Sequence, residues 1–339
     1  MSLLSVIIPV HNGSATIRRA VESVVRELPE AEILVVENTS EDDTTPVCEA
    51  LAAEYPQMWF GHSGKGVSMA RNKGIESSKG DWIVFVDADD ALADGAGEVI
   101  RNAVTDSDAD LLLFGHRAGE RLRKVTDGDT AERYEGPAGV EDARVRMLQD
   151  PTRYMQVWAK AFRGSRLRES GVRFRPELSL SEDSDLIVRY SAVCKEIEFC
   201  PQITYLYSVN TPSVMRRYDG SKAVRYVQAM ELTAASVENE SERIRKAFGT
   251  YALMHLNILL VREIFNRSAK ASYRERRSEM IRYAQKEVFA RHLRELKAGE
   301  CRSARMLPLL MLRLHRYDAA AAIYMVRAEQ NRRREMRGQ

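Results

Sequence analysis

Ser5-Val-Ile-Ile-Pro-Val10 is a short apolar run rich in β-branched residues, and His11-Asn12-Gly13 follows it as a turn. Such a run is typical of a strand that is buried on both faces of a sheet. Residues 14–27 then place their apolar side chains at helical spacing. The start of the chain is therefore predicted to form a strand, a turn and a helix.

The same alternation continues to residue 90. Strands are predicted at 33–37 and 82–87, with helices beginning near Thr45-Pro46 and covering 67–77. Alternating strands and helices indicate an α/β fold, with a mostly parallel central sheet flanked by helices on both faces. Ligands bind such sheets beyond the carboxyl ends of the strands. Three predicted strand ends carry polar clusters: His11-Asn12, Glu37-Asn38 and Asp87-Ala88-Asp89-Asp90.

Beyond residue 105 the pattern changes in two steps. A further strand is predicted at 110–114, and the charged stretch 117–135 is predicted to be a hairpin or loop that turns at Asp127-Gly128-Asp129. Long helical patterns cover 221–267, 273–293, 303–314 and 318–334. We therefore predict an α/β domain over residues 1–217 and a helical C-terminal region over residues 218–339.

Composition narrows the class of protein. A chain of 339 residues suggests about two domains, and 44% hydrophobic with 29% charged residues is typical of a globular protein. The net charge of +2 gives no reason to expect nucleic acid as a partner. Charge is unevenly distributed, however, because residues 291–339 contain 12 Lys or Arg and 5 Asp or Glu. This basic tail indicates an anionic partner.

Targeting features and cysteines point to the cytoplasm. The four cysteines form no Cys-x-x-Cys pair, so we expect neither a zinc site nor a redox dithiol. The first residues show no secretory signal, and the longest apolar run, 319–326, is eight residues long. Because about 20 apolar residues are needed to span a bilayer, no membrane-spanning helix is expected.

The acidic cluster after the strand at 82–87 suggests a metal site. Alternate residues of an extended segment share a face, so Asp87 and Asp89 are expected to point the same way. Two carboxylates there suit a hard divalent cation such as Mg²⁺ or Mn²⁺. A solvated turn whose acids cap the next helix is the alternative. Glycine-rich dinucleotide and P-loop motifs are absent from the sequence, which excludes those two kinds of phosphate site.

Four segments together, 5–13, 35–44, 66–74 and 80–90, resemble the GT-A glycosyltransferases of family 2 in order and separation. The resemblance implies inverting transfer of a sugar from a nucleotide-diphosphate donor, with Mn²⁺ or Mg²⁺ on the diphosphate. It also implies a nucleotide-binding half at 1–105 and an acceptor half at 106–217. The acceptor would be a hydroxyl of a glycan or lipid-linked molecule, as in cell-surface polysaccharide synthesis.

The resemblance also assigns roles to residues around the nucleotide. Asp89 would be the main metal ligand, with Asp87 beside it. In the family the second acid of the pair after the second strand accepts the uracil N–H; here that position is Asn38, whose amide can accept or donate. Although Asn38 departs from the family's pattern, the resemblance implies a UDP-sugar as the donor. The implied nucleotide-binding residues are Pro9, His11 (in place of the usual tyrosine), Asn12, Glu37, Asn38, Gly66, Arg71, Asp87 and Ala88.

A second acidic segment lies at Leu180–Leu186. Asp183 matches the second residue of the family's Glu-Asp motif, which implies that it is the general base. Asp185 is the less favoured base. The local alternative is a capping box between Ser179 and Glu182 at the start of a helix.

Further residues resemble the parts of the family that meet acceptor or phosphate. These candidates are Trp158, Lys160, Glu182, Arg216 and Arg217, and packing in the core is the alternative for the tryptophan. The basic tail fits either an anionic membrane surface, at the inner face of the membrane, or a helical bundle with a solvated basic face. A nucleotidyltransferase and a catalytically inactive, nucleotide-sugar-binding scaffold are the alternative functions.

Overall fold

The computed structural model describes residues 3–209, 218–297, 299 and 304–336. The chain divides into two compact units, 1–211 and 212–339. The first unit is an α/β domain and the second is helical in its described parts. The α/β class predicted from the sequence is confirmed, and so is the presence of a helical C-terminal region.

The first unit is built on one mixed sheet. Its strands in chain order are β1 (Leu4–Val10), β2 (Glu32–Glu37), β3 (Met58–His62), β4 (Trp82–Phe85), β5 (Ala91–Leu92), β6 (Leu111–Ala118), β7 (Arg121–Arg123), β8 (Glu132–Glu135), β9 (Lys160–Arg163) and β10 (Glu196–Tyr207). The spatial order is β3-β2-β1-β4-β9-β6-β10-β5, with β7 beside β6 and β8 beside β10. Neighbours among β1–β4 are parallel, whereas β9 runs antiparallel to both β4 and β6.

Helices cover both faces of this sheet. They are α1 (Ile17–Glu27), α2 (Thr44–Glu54), α3 (Val67–Ser77), α4 (Ala96–Asp106), α5 (Gly136–Gln149), α6 (Pro151–Tyr154), α7 (Gly164–Glu169) and α8 (Glu182–Ser191). Successive side chains of β1 point to opposite faces. Val6 and Ile8 join a core with α1 and α4, while Ile7 faces α3 at Gly74, where a Cβ would collide with it. This alternation explains why every residue of β1 is buried.

The charged stretch after β6 does not turn where the sequence analysis expected. The hairpin joins β6 to β7 through Gly119-Glu120, and Gly119 has a φ of 59°. Glycine adopts this left-handed conformation without steric cost, which favours the tight turn here. The turn predicted at Asp127-Gly128-Asp129 is therefore wrong. Those residues lie in the connection to β8, where Lys124 and Arg153 pair with the aspartates.

The second unit is a group of short and medium-length helices. They are α9 (Lys222–Val237), α10 (Glu242–Leu259), α11 (Tyr273–Ala284), α12 (Glu287–Glu295), α13 (Leu307–Arg313) and α14 (Tyr317–Met336). A π-helical turn, Leu260–Ile264, continues α10. The helical pattern predicted over 221–267 is interrupted at Ser241, whose side chain caps α10 by accepting from the Ile244 N–H.

Apolar residues of the tail pack inside this second unit. Leu309, Leu312 and Tyr324 are buried, and the Tyr324 hydroxyl donates to Asn257 Oδ1 at 2.8 Å, which ties α14 to α10. Much of the apolar surface of α13 and α14 is therefore buried, as expected if the tail forms part of a helical bundle. Across the described ranges, no helix has both the length and the apolar character needed to cross a membrane.

Candidate active site

The polar clusters after β1 and β2 lie next to each other because these parallel strands are neighbours in the sheet. His11 Nδ1 is 3.0 Å from the Asn38 carbonyl oxygen. The Asn12 side chain accepts a hydrogen bond from the Glu41 N–H at 2.8 Å. These bonds join the two strand ends into one polar rim, at the edge of the sheet where α/β proteins bind ligands.

Glu37 and Asn38 form the inner part of this rim, and both are buried. Glu37 accepts hydrogen bonds from the Ser40 N–H and from His62. Burial alone would raise the pKa of Glu37, but these hydrogen bonds outweigh it and lower the pKa. Glu37 is therefore a carboxylate at neutral pH. The side-chain oxygen Oδ1 of Asn38 accepts from the Gly66 N–H at 3.4 Å, which connects the rim to the start of α3.

Strained backbone borders the same region. Four non-glycine residues in the described part of the first unit have positive φ: Asn12, Thr39, Ala159 and Ser181. Each follows or precedes a predicted site residue in the chain. Such conformations cost about 1–3 kcal/mol each and concentrate where function requires a fixed geometry.

Arg71 lies at the centre of the polar groups. It is 3% exposed, and its two amino groups reach three carboxylates. Nη2 donates to Asp87 Oδ1 at 3.0 Å, while Nη1 donates to Asp183 Oδ1 at 2.6 Å and to Glu182 Oε1 at 3.1 Å. Arg71 therefore does not lie on the solvent-exposed surface of α3. One guanidinium therefore brings the two acidic segments of the sequence to the same place.

Helix α3 is fixed in the position that this bridge requires. Asn72 makes two hydrogen bonds with the backbone of Phe174, at 2.8 and 2.9 Å, and the Ser68 hydroxyl donates to the Leu178 carbonyl oxygen. The Phe174 ring also lies beneath the Arg71 guanidinium, 5.2 Å from its centroid. The segment before α8 thus holds both the helix and its arginine.

Asp183 lies in the first turn of α8, where the helix dipole favours negative charge. Its Oδ2 accepts from the Val157 N–H at 3.3 Å. Burial raises the pKa of Asp183 to about 6, although Arg71 and Lys160 pull it down. The group is therefore a carboxylate at neutral pH with an unusually high proton affinity, as a general base requires.

The neighbours of Asp183 have other tasks. Helix α8 begins at Glu182 with Ser181 as its N-cap and without a side-chain cap, so the predicted capping box at Ser179 is wrong. Ser179 lies two residues too early, and Glu182 turns to Arg71 instead. Asp185 is fully buried and pairs with Arg175 and Arg189, which fixes the helix in place.

The acidic cluster after β4 divides into two groups. Asp87, Ala88 and Asp89 are partly exposed, and burial raises the pKa of Asp87 against the opposing effect of Arg71. Asp90, in contrast, is buried and accepts from the Tyr205 hydroxyl at 2.8 Å and from the Ser208 N–H at 2.7 Å. The same Tyr205 hydroxyl accepts from the Asp87 N–H at 3.0 Å. Asp90 and Tyr205 therefore hold the turn that presents Asp87 and Asp89.

Trp158 stacks on this supporting tyrosine. Its ring is 4.7 Å from the Tyr205 ring and 5.6 Å from the Tyr207 ring, and the edge of His116 lies 4.7 Å away. The sequence analysis includes Asp90 in the acidic cluster without giving it a role, and it does not identify Tyr205 or His116 as part of the site. The available signal was the alternating pair Tyr205-x-Tyr207, which resembles ordinary strand packing.

The remaining predicted residues are placed as follows. Pro9 is buried within β1, opposite Val36 of β2, and Ala88 lies against the turn at Gly13. Lys160, in β9, is buried at 1% exposure, and its Nζ has no hydrogen-bond partner among the described residues. Arg216 and Arg217 lie outside the residues that the structure describes.

Comparisons with known proteins agree with this arrangement. Residues 5–157 match the family model described as glycosyl transferase family 2. The putative glycosyltransferase EpsH of Bacillus subtilis (strain 168) is 25% identical over 268 residues, which is 77% of this chain and 77% of that protein. Two further curated glycosyltransferases align over about a third of their own length.

Solved structures show the same fold. S. aureus TarS 1-349 in complex with UDP-GlcNAc has a TM-score of 0.69 at 19% identity, covering 98% of this chain and 92% of that one. The mannosyltransferase PcManGT from Pyrobaculum calidifontis, in complex with GDP-Man and Mn²⁺, has a TM-score of 0.53 at 14% identity, covering 95% and 86%. The resemblance predicted from residues 5–90 is confirmed, because residues 5–157 match the family 2 glycosyltransferase model and the fold is that of solved GT-A glycosyltransferases.

Proposed function

We propose that this enzyme transfers a sugar from a UDP-sugar, with inversion at the anomeric carbon, to a hydroxyl of a glycan or lipid-linked acceptor in polysaccharide synthesis. One observation carries the proposal: the Arg71 guanidinium joins Asp87, at the metal and nucleotide end, to Asp183, the candidate base. An inverting displacement needs these two kinds of group in one cleft, on opposite sides of the anomeric carbon. The catalytic unit would comprise residues 1–217, with its nucleotide-binding half at 1–105.

Asp183 supplies the base in this proposal. Its carboxylate takes the proton of the acceptor hydroxyl as that oxygen attacks the anomeric carbon and the bond to the diphosphate breaks. The two hydrogen bonds from Arg71 and the Val157 N–H fix the direction of the carboxylate. A positioned base of this kind contributes about 10²- to 10⁴-fold in rate.

The nucleotide is proposed to lie along the rim formed by β1, β2 and the start of α3. Asn12, Glu37 and Asn38 present polar groups there, and Gly66 brings backbone close to them. TarS in complex with UDP-GlcNAc has the same fold, which supports UDP as the nucleotide for this chain. Asn38 offers both an amide donor and an acceptor to the base edge.

A divalent cation is proposed to join Asp89 and Asp87 to the diphosphate. Within the described residues, no group of three or more Asp, Glu, His or Cys side chains is arranged to hold a metal ion. Two carboxylates fit a cation whose other ligands are phosphate oxygens and water, which is common for Mg²⁺ and Mn²⁺. When bound, such an ion stabilises the charge that develops on the leaving diphosphate. The structure of PcManGT with GDP-Man and Mn²⁺ supports this assignment by analogy of fold.

The acceptor is proposed to enter beside Trp158 and Glu182, with Arg216 and Arg217 as candidates for contact with phosphate. Trp158 is only partly buried although three aromatic rings surround it. An aromatic face at the rim of a cleft suits the apolar face of a sugar ring. The succinoglycan biosynthesis protein ExoO of Rhizobium meliloti (strain 1021) is 26% identical over 225 residues, which favours a polysaccharide as the product.

Contact of the tail with an anionic membrane is a further proposal. Leu314, Met325 and Val326 are exposed, which leaves apolar surface on a basic segment. Arg332 and Arg333 pair with Glu329, which lowers the charge available to lipids. Flotation with vesicles of phosphatidylcholine alone and with added phosphatidylglycerol tests the proposal, and equal flotation on both would contradict it.

Donor hydrolysis tests the enzymatic proposal without knowledge of the acceptor, since water can replace the acceptor hydroxyl. A panel of UDP- and GDP-sugars with Mn²⁺ should give release of UDP from one UDP-sugar, and Asp89→Ala should abolish it. Unchanged release by Asp89→Ala would contradict the metal site. Nucleotide binding without hydrolysis by the wild type would favour the inactive scaffold.

A further inference from the structure

Lys160 is a buried lysine, with a side chain that carries a titratable amine. It lies in β9, between β4 and β6 in the sheet, and its ammonium has no hydrogen-bond partner among the described residues. An unpaired ammonium is expensive to remove from water, whereas methionine has a similar length and no charge. Packing therefore does not explain a lysine at this position.

The surroundings of Lys160 show which group its charge affects. His116, on β6, has a pKa lowered to about 4 by burial and then by the charges of Lys160 and Arg123, so it is neutral at pH 7. Asp183, on α8, is the carboxylate in the described part of the chain that stabilises the Lys160 ammonium. The two residues are also joined through the backbone, because Asp183 Oδ2 accepts at 3.3 Å from the N–H of Val157, which lies just before β9. Burial outweighs this effect of Asp183 and lowers the pKa of Lys160 to about 7, so the lysine is protonated below that pH.

Asp183 is itself surrounded by charges from several elements. Arg71 from α3 contacts it directly, Glu182 precedes it on α8, and Asp87 after β4 faces it across the guanidinium. Arg71 must serve all three of these carboxylates. A second positive charge beside Asp183 therefore compensates negative charge that one guanidinium leaves unbalanced.

We propose that Lys160 is a positioning residue whose buried ammonium keeps the Asp183 carboxylate ionised, so that it can accept the acceptor proton near neutral pH. This proposal rests on the proposed function, in which Asp183 is the base. In the step itself the hydroxyl proton moves to Asp183, the oxygen bonds to the anomeric carbon and the diphosphate leaves. The Lys160 proton does not move.

The pH profile of UDP-sugar hydrolysis with Mn²⁺ tests this role in Lys160→Met and Lys160→Gln. Loss of the positive charge raises the pKa of Asp183, so the acid limb of the rate should move about one unit to higher pH. Activity at pH 8.5 should return to within about twofold of wild type, with the donor KM unchanged. The melting temperature at pH 7.5 should equal or exceed that of wild type, because a buried amine without a hydrogen-bond partner in the described part of the chain has been removed.

Lys222→Met is the matched control, since Lys222 is also buried but lies in the second unit, beside Glu263. Its acid limb should stay at the wild-type pH. An unmoved limb in both Lys160 variants, an equal loss of rate at all pH values, or failure of both variants to fold would overturn the proposal. Asp183→Asn distinguishes failure of the Lys160 proposal from failure of the proposed function. Retained hydrolysis by that variant would contradict the proposed function itself.

Discussion

Arg71 donates to Asp183 across 2.6 Å, although 112 residues separate them in the sequence. The same guanidinium reaches Asp87 at 3.0 Å. Because Arg71 is buried, these ion pairs are formed largely out of contact with water. The arginine therefore both fixes the geometry of the cleft and compensates the charge of its carboxylates.

Replacement of Arg71 by methionine should destabilise the fold by about 3–5 kcal/mol, because removal of one partner leaves buried carboxylates uncompensated. Donor hydrolysis should be lost as well. Urea denaturation followed by circular dichroism measures the first effect. Arg18→Met is the control, since Arg18 pairs with Glu22 and Glu54 on the exposed surface, and its midpoint should not move. Equal effects of the two substitutions would contradict the role of the bridge.

Asp183→Asn should abolish activity without destabilising the fold. The folded protein raises the pKa of Asp183 from 3.8 to about 6, so it binds this proton more tightly than the unfolded chain does. The protonated Asp183 carboxyl therefore stabilises the fold fully below about pH 3.8, and this stabilisation is lost as the pH rises through about 6. At pH 7.5 the uncharged variant should be more stable by an amount on the order of 1 kcal/mol.

Thermal melts of wild type and Asp183→Asn at pH 7.5 measure this difference. Asp185→Asn is the control, because Asp185 is fully buried and pairs with Arg175 and Arg189, so its substitution should destabilise the fold. Destabilisation of the Asp183 variant to the same degree would show that its carboxylate serves the fold.

The rate of donor hydrolysis should depend on the protonation of Asp183. Because its pKa is about 6, kcat/KM should be level near neutral pH and fall tenfold per unit well below pH 6. A profile measured between pH 4.5 and 8.5 with Mn²⁺ checks this expectation. An acid limb near pH 4 would indicate an aspartate of ordinary pKa as the base.

Tyr205→Phe should weaken the turn that presents Asp87 and Asp89. The substitution leaves the Asp87 N–H and one oxygen of Asp90 without the hydroxyl they share, at a cost of about 1–3 kcal/mol. The donor KM should rise with this loss of order. Tyr273→Phe is the matched control, since that hydroxyl also donates to an aspartate at 2.8 Å but is exposed. A Tyr205 variant that behaves like the control would contradict this supporting role.

Local patterns in the sequence predict the strands and helices of the first ninety residues, because apolar periodicity there reflects burial directly. They also predict which strand ends carry polar groups. What the sequence does not reveal is how distant segments meet. Asp90 resembles Asp87 and Asp89 in the sequence. In the fold, however, Asp90 is buried and accepts a hydrogen bond from Tyr205, 115 residues further along the chain.

The position of β9 illustrates the same limit. A short run around Lys160 gives no indication that it will insert antiparallel between β4 and β6 in the middle of the sheet. That insertion buries Lys160 near Asp183, the proposed base. Local rules also misplaced the hairpin turn, since Gly119 and Gly128 both occur in charged surroundings and the pairing of β6 with β7 selects the first.

The most direct test of the account is the rate of UDP-sugar hydrolysis with Mn²⁺ by Asp183→Asn, at a donor concentration shown by calorimetry to saturate the variant. Donor affinity should stay within about twofold of wild type, and the rate should fall by about 10²- to 10⁴-fold. A saturated variant that hydrolyses the donor at the wild-type rate would contradict the role of Asp183 as the base.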